Sequence, residues 1–312
     1  MAPHRRSVSL VIPVYYNAAS LAELQRELSA LEEQLARRDL DLELIFVNDG
    51  SGDNSLAELL KIKATRPQTK VISLARNFGA VAASKTGFQF VTGDAFIIAA
   101  ADLQDPIGHV ALMVDEWLAG HKFVVSARVK RADPPSTRLL AWAYYRVLEL
   151  MVVKGYPRGG ADLMLMDKAL LPYLKGSAKG TNPVVYAFWL GFEPRMLSCE
   201  RRERRHGKSR FTLGKKLRFF IDTVSGFSVT PIRALSAFGA IVALLSFLYG
   251  INIIVAALFG KVEVRGFATL AVLISFFSGL ILIMLGALGE YLWRVFDAVS
   301  NKPESVIDET FL

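Results

Sequence analysis

Short apolar runs alternate with amphipathic stretches through the first half of the chain, and two long uncharged runs close the second half. Residues 7–14 (SVSLVIPV) are rich in β-branched side chains and predict a first strand ending in Pro13-Val14. Leucines at helical spacing, with charges between them, predict an amphipathic helix over 21–35. Strands over 42–47, 70–74, 95–100 and 122–127 then alternate with helices over 54–64, 79–91 and 109–119. Such alternation implies a mostly parallel sheet with helices on both faces. Ligands of such sheets bind beyond the carboxyl ends of the strands. The loops beginning at Val14, Asn48, Arg76 and Ala101 all lie at such ends.

Further on, the polar stretch 128–137 reads as a loop. Residues 138–153 form an apolar, aromatic helix with two open readings, a membrane-surface helix or a core helix. Residues 213–230 set Lys215, Lys216 and Arg218 beside Phe219, Phe220 and Phe227, the pattern of an interfacial helix. Residues 235–258 and 267–289 carry no charged side chain. At about 1.5 Å per residue, each run is long enough to cross a hydrocarbon core of roughly 30 Å. The predicted organisation is therefore a domain over 1–212, an interfacial segment over 213–234, two spans (235–258 and 267–289) and a tail over 290–312.

Composition sharpens this picture. Hydrophobic residues make up 52% of 312, and mean hydropathy is +0.33, more apolar than an ordinary soluble enzyme. The net charge is +8. Segment 201–218 holds nine Lys or Arg and a single acid, Glu203, so the rest of the chain is neutral. A basic run just ahead of apolar spans points to an anionic membrane surface or a phosphate ligand rather than to nucleic acid. The short loop between the spans carries fewer bases than their outer flanks, which predicts both termini and the first domain on the cytoplasmic side. The basic N-terminus followed by 7–14 is too short and wrongly flanked for a signal peptide. A lone cysteine, Cys199, excludes an internal disulfide and a Cys-rich zinc site. The four histidines lack metal-site spacing.

The ordered motifs IPVYYN, VNDGSGDNS, RNFG, ADLQDP and RHGKSRFT, with GEYLWR after the last apolar run, resemble the family-2 glycosyltransferases. More narrowly they resemble the polyprenyl-phosphate glycosyltransferases, the group of dolichol-phosphate mannose synthase and the bactoprenol glucosyltransferases. The resemblance implies a nucleotide-binding GT-A-like fold, with interfacial helices and a C-terminal two-helix transmembrane hairpin. It implies a hexosyltransferase that uses a nucleotide-sugar donor, a polyprenyl phosphate acceptor, a divalent metal and the lipid bilayer. It also implies inversion at the anomeric carbon; UDP-glucose is the favoured donor, with GDP-mannose and other UDP-sugars open. A spanning hairpin also leaves room for homo-oligomers.

Carried over residue by residue, Pro13, Val14, Tyr15 and Asn17 line the loop where the nucleoside would lie, and Asn77 approaches from the third strand. Asp49 either accepts hydrogen bonds from base or ribose or forms an Asp-Gly turn. Where the family has two acids, this chain has Asn48-Asp49. The family's Asp-x-Asp-x-Gln metal motif falls on Ala100, Asp102 and Gln104, so the first carboxylate is missing. Asp102 and Gln104 remain as candidate Mg²⁺ or Mn²⁺ ligands, because Mg²⁺ needs few protein ligands. Asp162 is the second candidate catalytic acid. An acceptor phosphate is already ionised near neutral pH, so Asp162 is expected to position groups or organise the metal, with base catalysis the lesser reading. Arg128 and Arg131 are candidates for the diphosphate, and Arg202, Arg205, Ser209 and Arg210 for the acceptor phosphate. Guanidinium forks suit phosphate oxygens.

Two rival readings draw on the same residues. A processive polysaccharide synthase carries a late Gln-x-x-Arg-Trp motif, and this chain has no glutamine after Gln104. A non-catalytic, membrane-anchored nucleotide-sugar binder draws on Ala100 but leaves Asp102, Asp162 and the Arg/Ser set without a role.

Overall fold

The computed structural model describes residues 5–104, 107–128, 144–153, 155–157, 160–199, 213–259 and 266–312. They form two compact units, Met1–Thr223 with Lys302–Leu312, and Val224–Asn301.

The first unit is built on an eight-stranded sheet. Its strands are β1 (Arg6–Val14), β2 (Leu40–Asn48), β3 (Lys70–Leu74), β4 (Ala95–Ile98), β5 (Phe123–Arg128), β6 (Ala161–Asp167), β7 (Arg195–Cys199) and β8 (Ile307–Phe311), in the order β7-β5-β6-β4-β1-β2-β3-β8. β1 pairs in parallel with both β2 and β4, β2 with β3, and β5 with β7. β6 runs antiparallel between β4 and β5, and β8 runs antiparallel on the outer edge of β3. The sheet is mixed but mostly parallel. Its order reverses between β1 and β4, which puts a crevice beyond their carboxyl ends.

Helices α1 (Ala18–Ala36), α2 (Ser55–Thr65), α3 (Ala80–Phe88) and α4 (His109–Leu118) form the crossovers. α1 buries Leu21, Leu24, Leu28, Leu31 and Leu35 against the sheet face made by Val8, Leu10, Ile12 and Val14. Its N-cap, Asn17, makes no side-chain capping bond. A cap is worth about 1 kcal/mol, whereas each buried leucine contributes roughly 1.5–3 kcal/mol, so burial decides where this helix sits. On the opposite face α3 lies close to the strands through Gly87, where a Cβ would come within 2.4 Å of Val11 Cγ1. The described part of the predicted 138–153 helix, residues 144–151, packs Tyr145 onto Tyr156 and Tyr144 against Phe220. Its Leu150 is exposed.

The second unit contains the helices Thr230–Leu258 and Phe267–Val299, two apolar helices long enough to cross a bilayer. Within the hydropathy windows of their candidate spans, Thr230–Ile253 and Phe276–Val299, nothing is buried in a protein core. Helices of this length and apolarity are candidates for membrane spans by length and composition.

Two elements continue across the segment limits expected from the sequence. The predicted end of the second span at 289 falls inside a helix that continues to Val299, because Glu290, Arg294 and Asp297 all suit helical geometry. The tail expected over 290–312 is divided. Its last residues return to the sheet as β8, where Ala75 N–H donates to Val306 O at 3.0 Å and Glu304 pairs with the buried Lys85 at 2.6 Å.

Candidate active site

Four loops meet at the carboxyl edge of the sheet, and side-chain bonds stitch them together. After β1, Tyr15 N–H donates to Asn17 Oδ1 at 3.1 Å, and Asn17 N–H donates to Ser55 Oγ at 3.0 Å. Tyr16 N–H donates to Ser51 Oγ at 3.1 Å. Ser20 Oγ donates to Ala101 O at 2.8 Å, joining the β1 loop to the loop after β4. Asn17 and Asp49 therefore belong to one hydrogen-bonded set of loops, while Pro13 and Val14 end the strand that carries it.

Asp49 follows β2 and is buried. Its Oδ1 accepts from Phe78 N–H at 2.7 Å, and its Oδ2 from Gly79 N–H at 3.0 Å and Asn77 Nδ2 at 2.9 Å. The carboxylate thus clamps the RNFG loop after β3. By lone-pair count Oδ1, with one donor, retains room for a ligand donor, whereas Oδ2 is already filled. Burial pushes the Asp49 carboxyl above its ordinary value, and the Phe78 and Gly79 amides and the Arg76 charge offset part of that. Gly50 makes the approach possible. It sits at φ 60°, and a Cβ there would lie 2.4 Å from the Arg76 carbonyl carbon.

Two non-glycine residues at this edge adopt left-handed backbone, Tyr16 at φ 55° and Leu103 at φ 60°. Such strain concentrates at ligand sites. Tyr16 is 41% exposed, and its ring meets Tyr15 edge-on at 4.8 Å between centroids. Sequence reasoning passed over it. The tandem tyrosine was the available signal, but its backbone conformation was not readable. Leu103 instead turns inward and is buried, which leaves Asp102 and Gln104 on either side of the turn.

Asp102 Oδ1 accepts from Gln104 N–H at 3.2 Å. Among the described residues no three His, Cys, Asp or Glu side chains group as a metal cage. A single carboxylate on an open loop fits Mg²⁺ or Mn²⁺ shared with substrate phosphates and water, not an all-protein site.

Asp162 lies near the start of β6. The β5–β6 ladder pairs Ser126 with Leu163 and Ala127 with Ala161, so Asp162 is the extra residue of a β-bulge. Bulges recur beside active sites. β6 is antiparallel to β4, with Ile98 opposite Met164, so the backbone at Asp162 reaches the same edge as the Asp102 loop. Arg128 ends β5 at that edge, opposite Cys199 of β7. Arg131, Arg202, Arg205, Ser209 and Arg210 lie outside the described residues. The neighbouring acid Asp167 is occupied elsewhere, accepting from Trp117 Nε1 at 2.8 Å and from Ala169 N–H at 2.9 Å.

The sheet order and the crevice at its switch point define a GT-A-like α/β fold with carboxylates on the loops at its carboxyl edge. The chain belongs to glycosyl transferase family 2, whose model matches residues 9–234. It is a glycosyltransferase. It is 31% identical over 97% of its length to the uncharacterized glycosyltransferase YkcC of Bacillus subtilis, covering 94% of that protein. It is 30% identical over 97% of its length to the SfII prophage-derived bactoprenol glucosyl transferase of Shigella flexneri, covering 98% of it. Among solved structures, glucosyl-3-phosphoglycerate synthase from Mycobacterium tuberculosis, determined with Mn²⁺, UDP-glucose and phosphoglyceric acid, shares the fold. Its TM-score is 0.50 at 16% identity, over 70% of this chain and 78% of that one.

Proposed function

We propose that this protein transfers a hexose from a nucleoside-diphosphate sugar to polyprenyl phosphate at the cytoplasmic face of a membrane. Glucose from UDP-glucose, passed to undecaprenyl phosphate, is the substrate pair we favour. The observation that carries the proposal is the convergence of Asp49, Asn77, Asp102, Arg128 and the bulge at Asp162 on one sheet edge, in a chain that also carries two apolar helices. Full-length similarity to a bactoprenol glucosyl transferase supports the acceptor.

In this reading the β1 loop, Asp49 and Asn77 seat the nucleoside, with Tyr15 and Asn17 shaping the loop. Asp102 and Gln104 would hold a Mg²⁺ or Mn²⁺ ion, which when bound neutralises charge on the leaving diphosphate. Arg128 and Arg131 are assigned to that diphosphate, and Arg202, Arg205, Ser209 and Arg210 to the acceptor phosphate. An acceptor phosphate oxygen attacks the anomeric carbon, the bond from that carbon to the nucleoside diphosphate breaks, and configuration inverts. An α-linked donor therefore gives a β-linked lipid product. The acceptor needs no deprotonation, so Asp162 orients the reacting groups. Residues 235–258 and 267–289 cross the bilayer, with both termini cytoplasmic.

Incubation with a panel of nucleotide-sugars and undecaprenyl phosphate, with and without EDTA, tests the proposal by the mass of the glycolipid. Product from one UDP-hexose, lost with EDTA, is expected. No glycolipid from any donor overturns the acceptor assignment.

A further inference from the structure

The GEYLWR segment belongs to the second long helix. In the structure it grips the end of the preceding amphipathic helix, Leu213–Phe227. Arg294 Nε donates to Ser225 Oγ at 2.8 Å, and its Nη2 lies 3.6 Å from Glu290 Oε1 one turn back. Gly226 leaves room for the guanidinium, since a Cβ there would come within 3.2 Å of Arg294 Nη1. One turn of the same helix supplies Tyr291, whose hydroxyl donates to Ser228 O at 2.9 Å. Ser228 stands at the break between the amphipathic helix and the first long helix, and its Oγ accepts from Thr230 N–H at 3.1 Å. The hinge between the two helices is therefore held by side chains from a third.

The depth of this clasp follows from the register of the long helices. Met284 packs against Gly239, where a Cβ would come within 3.0 Å of Met284 Cε, while Tyr291 meets Ser228. In that antiparallel register Tyr291 and Arg294 are level with the start of the first candidate span at Thr230. Glu290 and Arg294 thus fall at the polar boundary of the hydrocarbon, although composition places them inside the second candidate span, Phe276–Val299. A charged pair is tolerated at that level, where headgroups and water reach it.

We infer that Tyr291 and Arg294 are positioning residues for the lipid acceptor. They fix the direction in which the amphipathic helix leaves the spanning pair, and that helix follows directly in sequence on the segment whose Arg202, Arg205, Ser209 and Arg210 are proposed to take the acceptor phosphate. This inference rests on the proposed acceptor chemistry. Ser225 and Gly226 complete the clasp, one as the acceptor of the Arg294 bond and the other by its missing side chain. The donor edge is formed by other residues, so loosening the clasp leaves donor binding intact.

The test uses the full-length protein in undecaprenyl-phosphate vesicles, with Arg294→Ala, Tyr291→Phe and Gly226→Val. Two readouts are taken. One is KM for each substrate. The other is the bilayer depth of a fluorophore on a cysteine placed at the exposed Gly214 in a Cys199→Ser background, read by quenching with brominated lipids. Expected is a roughly tenfold rise in acceptor KM for Arg294→Ala with donor KM unchanged, accompanied by a change in quenching depth. Gly226→Val should reproduce it, and the Gly226→Val/Arg294→Ala double variant should be no worse than either alone, because both break one contact. Unchanged depth, unchanged acceptor KM, or an equal loss for both substrates overturns the inference. If the unmodified protein makes no glycolipid while depth still shifts, the acceptor chemistry fails and the clasp remains only a structural joint.

Discussion

Two carboxylates associated with the same strand show how differently this sheet treats its two edges. Glu43, toward the amino ends of the neighbouring strands, is mostly buried and faces Lys70 Nζ at 2.5 Å, Thr92 Oγ1 at 2.6 Å, Thr92 N–H at 3.0 Å and the Ser9 hydroxyl. Asp49, just past the carboxyl end of β2, accepts, among the described residues, from neutral amide groups of the RNFG loop. Burial pushes both carboxyls up. At Glu43 the bonds from Lys70, Ser9 and Thr92 outweigh it and hold the group below its ordinary value. At Asp49 the two backbone amides and Arg76 do not, and the value stays raised. At Glu43 a facing cation with hydroxyls offsets the desolvation, whereas at Asp49 the amides and the Arg76 charge offset it only in part. The amino edge is thus a closed structural lock. The carboxyl edge holds an under-compensated carboxylate, as befits a site with further hydrogen-bonding capacity toward a ligand.

Several substitutions sharpen or break that contrast. The largest effect belongs to the carboxyl edge. Asp102→Ala should reduce glycolipid formation by roughly a hundredfold or more, through loss of the metal-side carboxylate, while the thermal midpoint stays within a degree or two of the unmodified protein. Equal losses of stability and activity would erase the distinction between the edges. Glu43→Gln should do the reverse. It leaves Lys70 without its charge partner and should cost about 2–3 kcal/mol of stability in denaturant titration, with turnover per folded molecule unchanged.

Asp49→Asn comes next, since it turns one acceptor oxygen into a donor facing amide N–H groups. A cost of about 1–2 kcal/mol is expected, together with a raised donor KM. The carboxylates also predict an acid dependence. Glu43 has a folded-state value below its ordinary 4.5, so its contribution is complete above about that pH and is lost as the pH falls through the folded value. Acid unfolding followed by circular dichroism should lose part of its steepness in Glu43→Gln. The smallest effect is at the surface. Asp115→Ala removes the bidentate pair to Arg38, at 2.6 and 2.8 Å, and should cost less than about 1 kcal/mol because solvent screens the pair.

Much of the first unit was legible along the chain. β1 through β5 and α1 through α4 follow from local periodicity, because alternating burial writes itself into neighbouring residues. The loops that carry Asp49, Asn77 and Asp102 were placed at strand ends by the same pattern. Harder to read was β6, whose ladder contains the bulge at Asp162, since a bulge depends on the register of a partner strand dozens of residues away. β8 was missed for the same reason. Its IDETF sequence has no strong strand pattern, and only pairing with β3, the Lys85–Glu304 ion pair and the Thr86–Ser305 hydroxyl contact at 2.6 Å give it a place.

By itself, the sequence determined that two charge-free runs follow a basic segment and that an α/β domain precedes them. Length, charge and periodicity are properties of adjacent residues, and the solvent acts on them one segment at a time. Tertiary structure alone decided that the tail returns to the sheet, that Asp49 clamps the RNFG loop with an incompletely compensated charge, and that Arg294 grips Ser225 beside Gly226. Each of these contacts joins residues remote in sequence, and its geometry exists only once the intervening chain has folded and closed the distance.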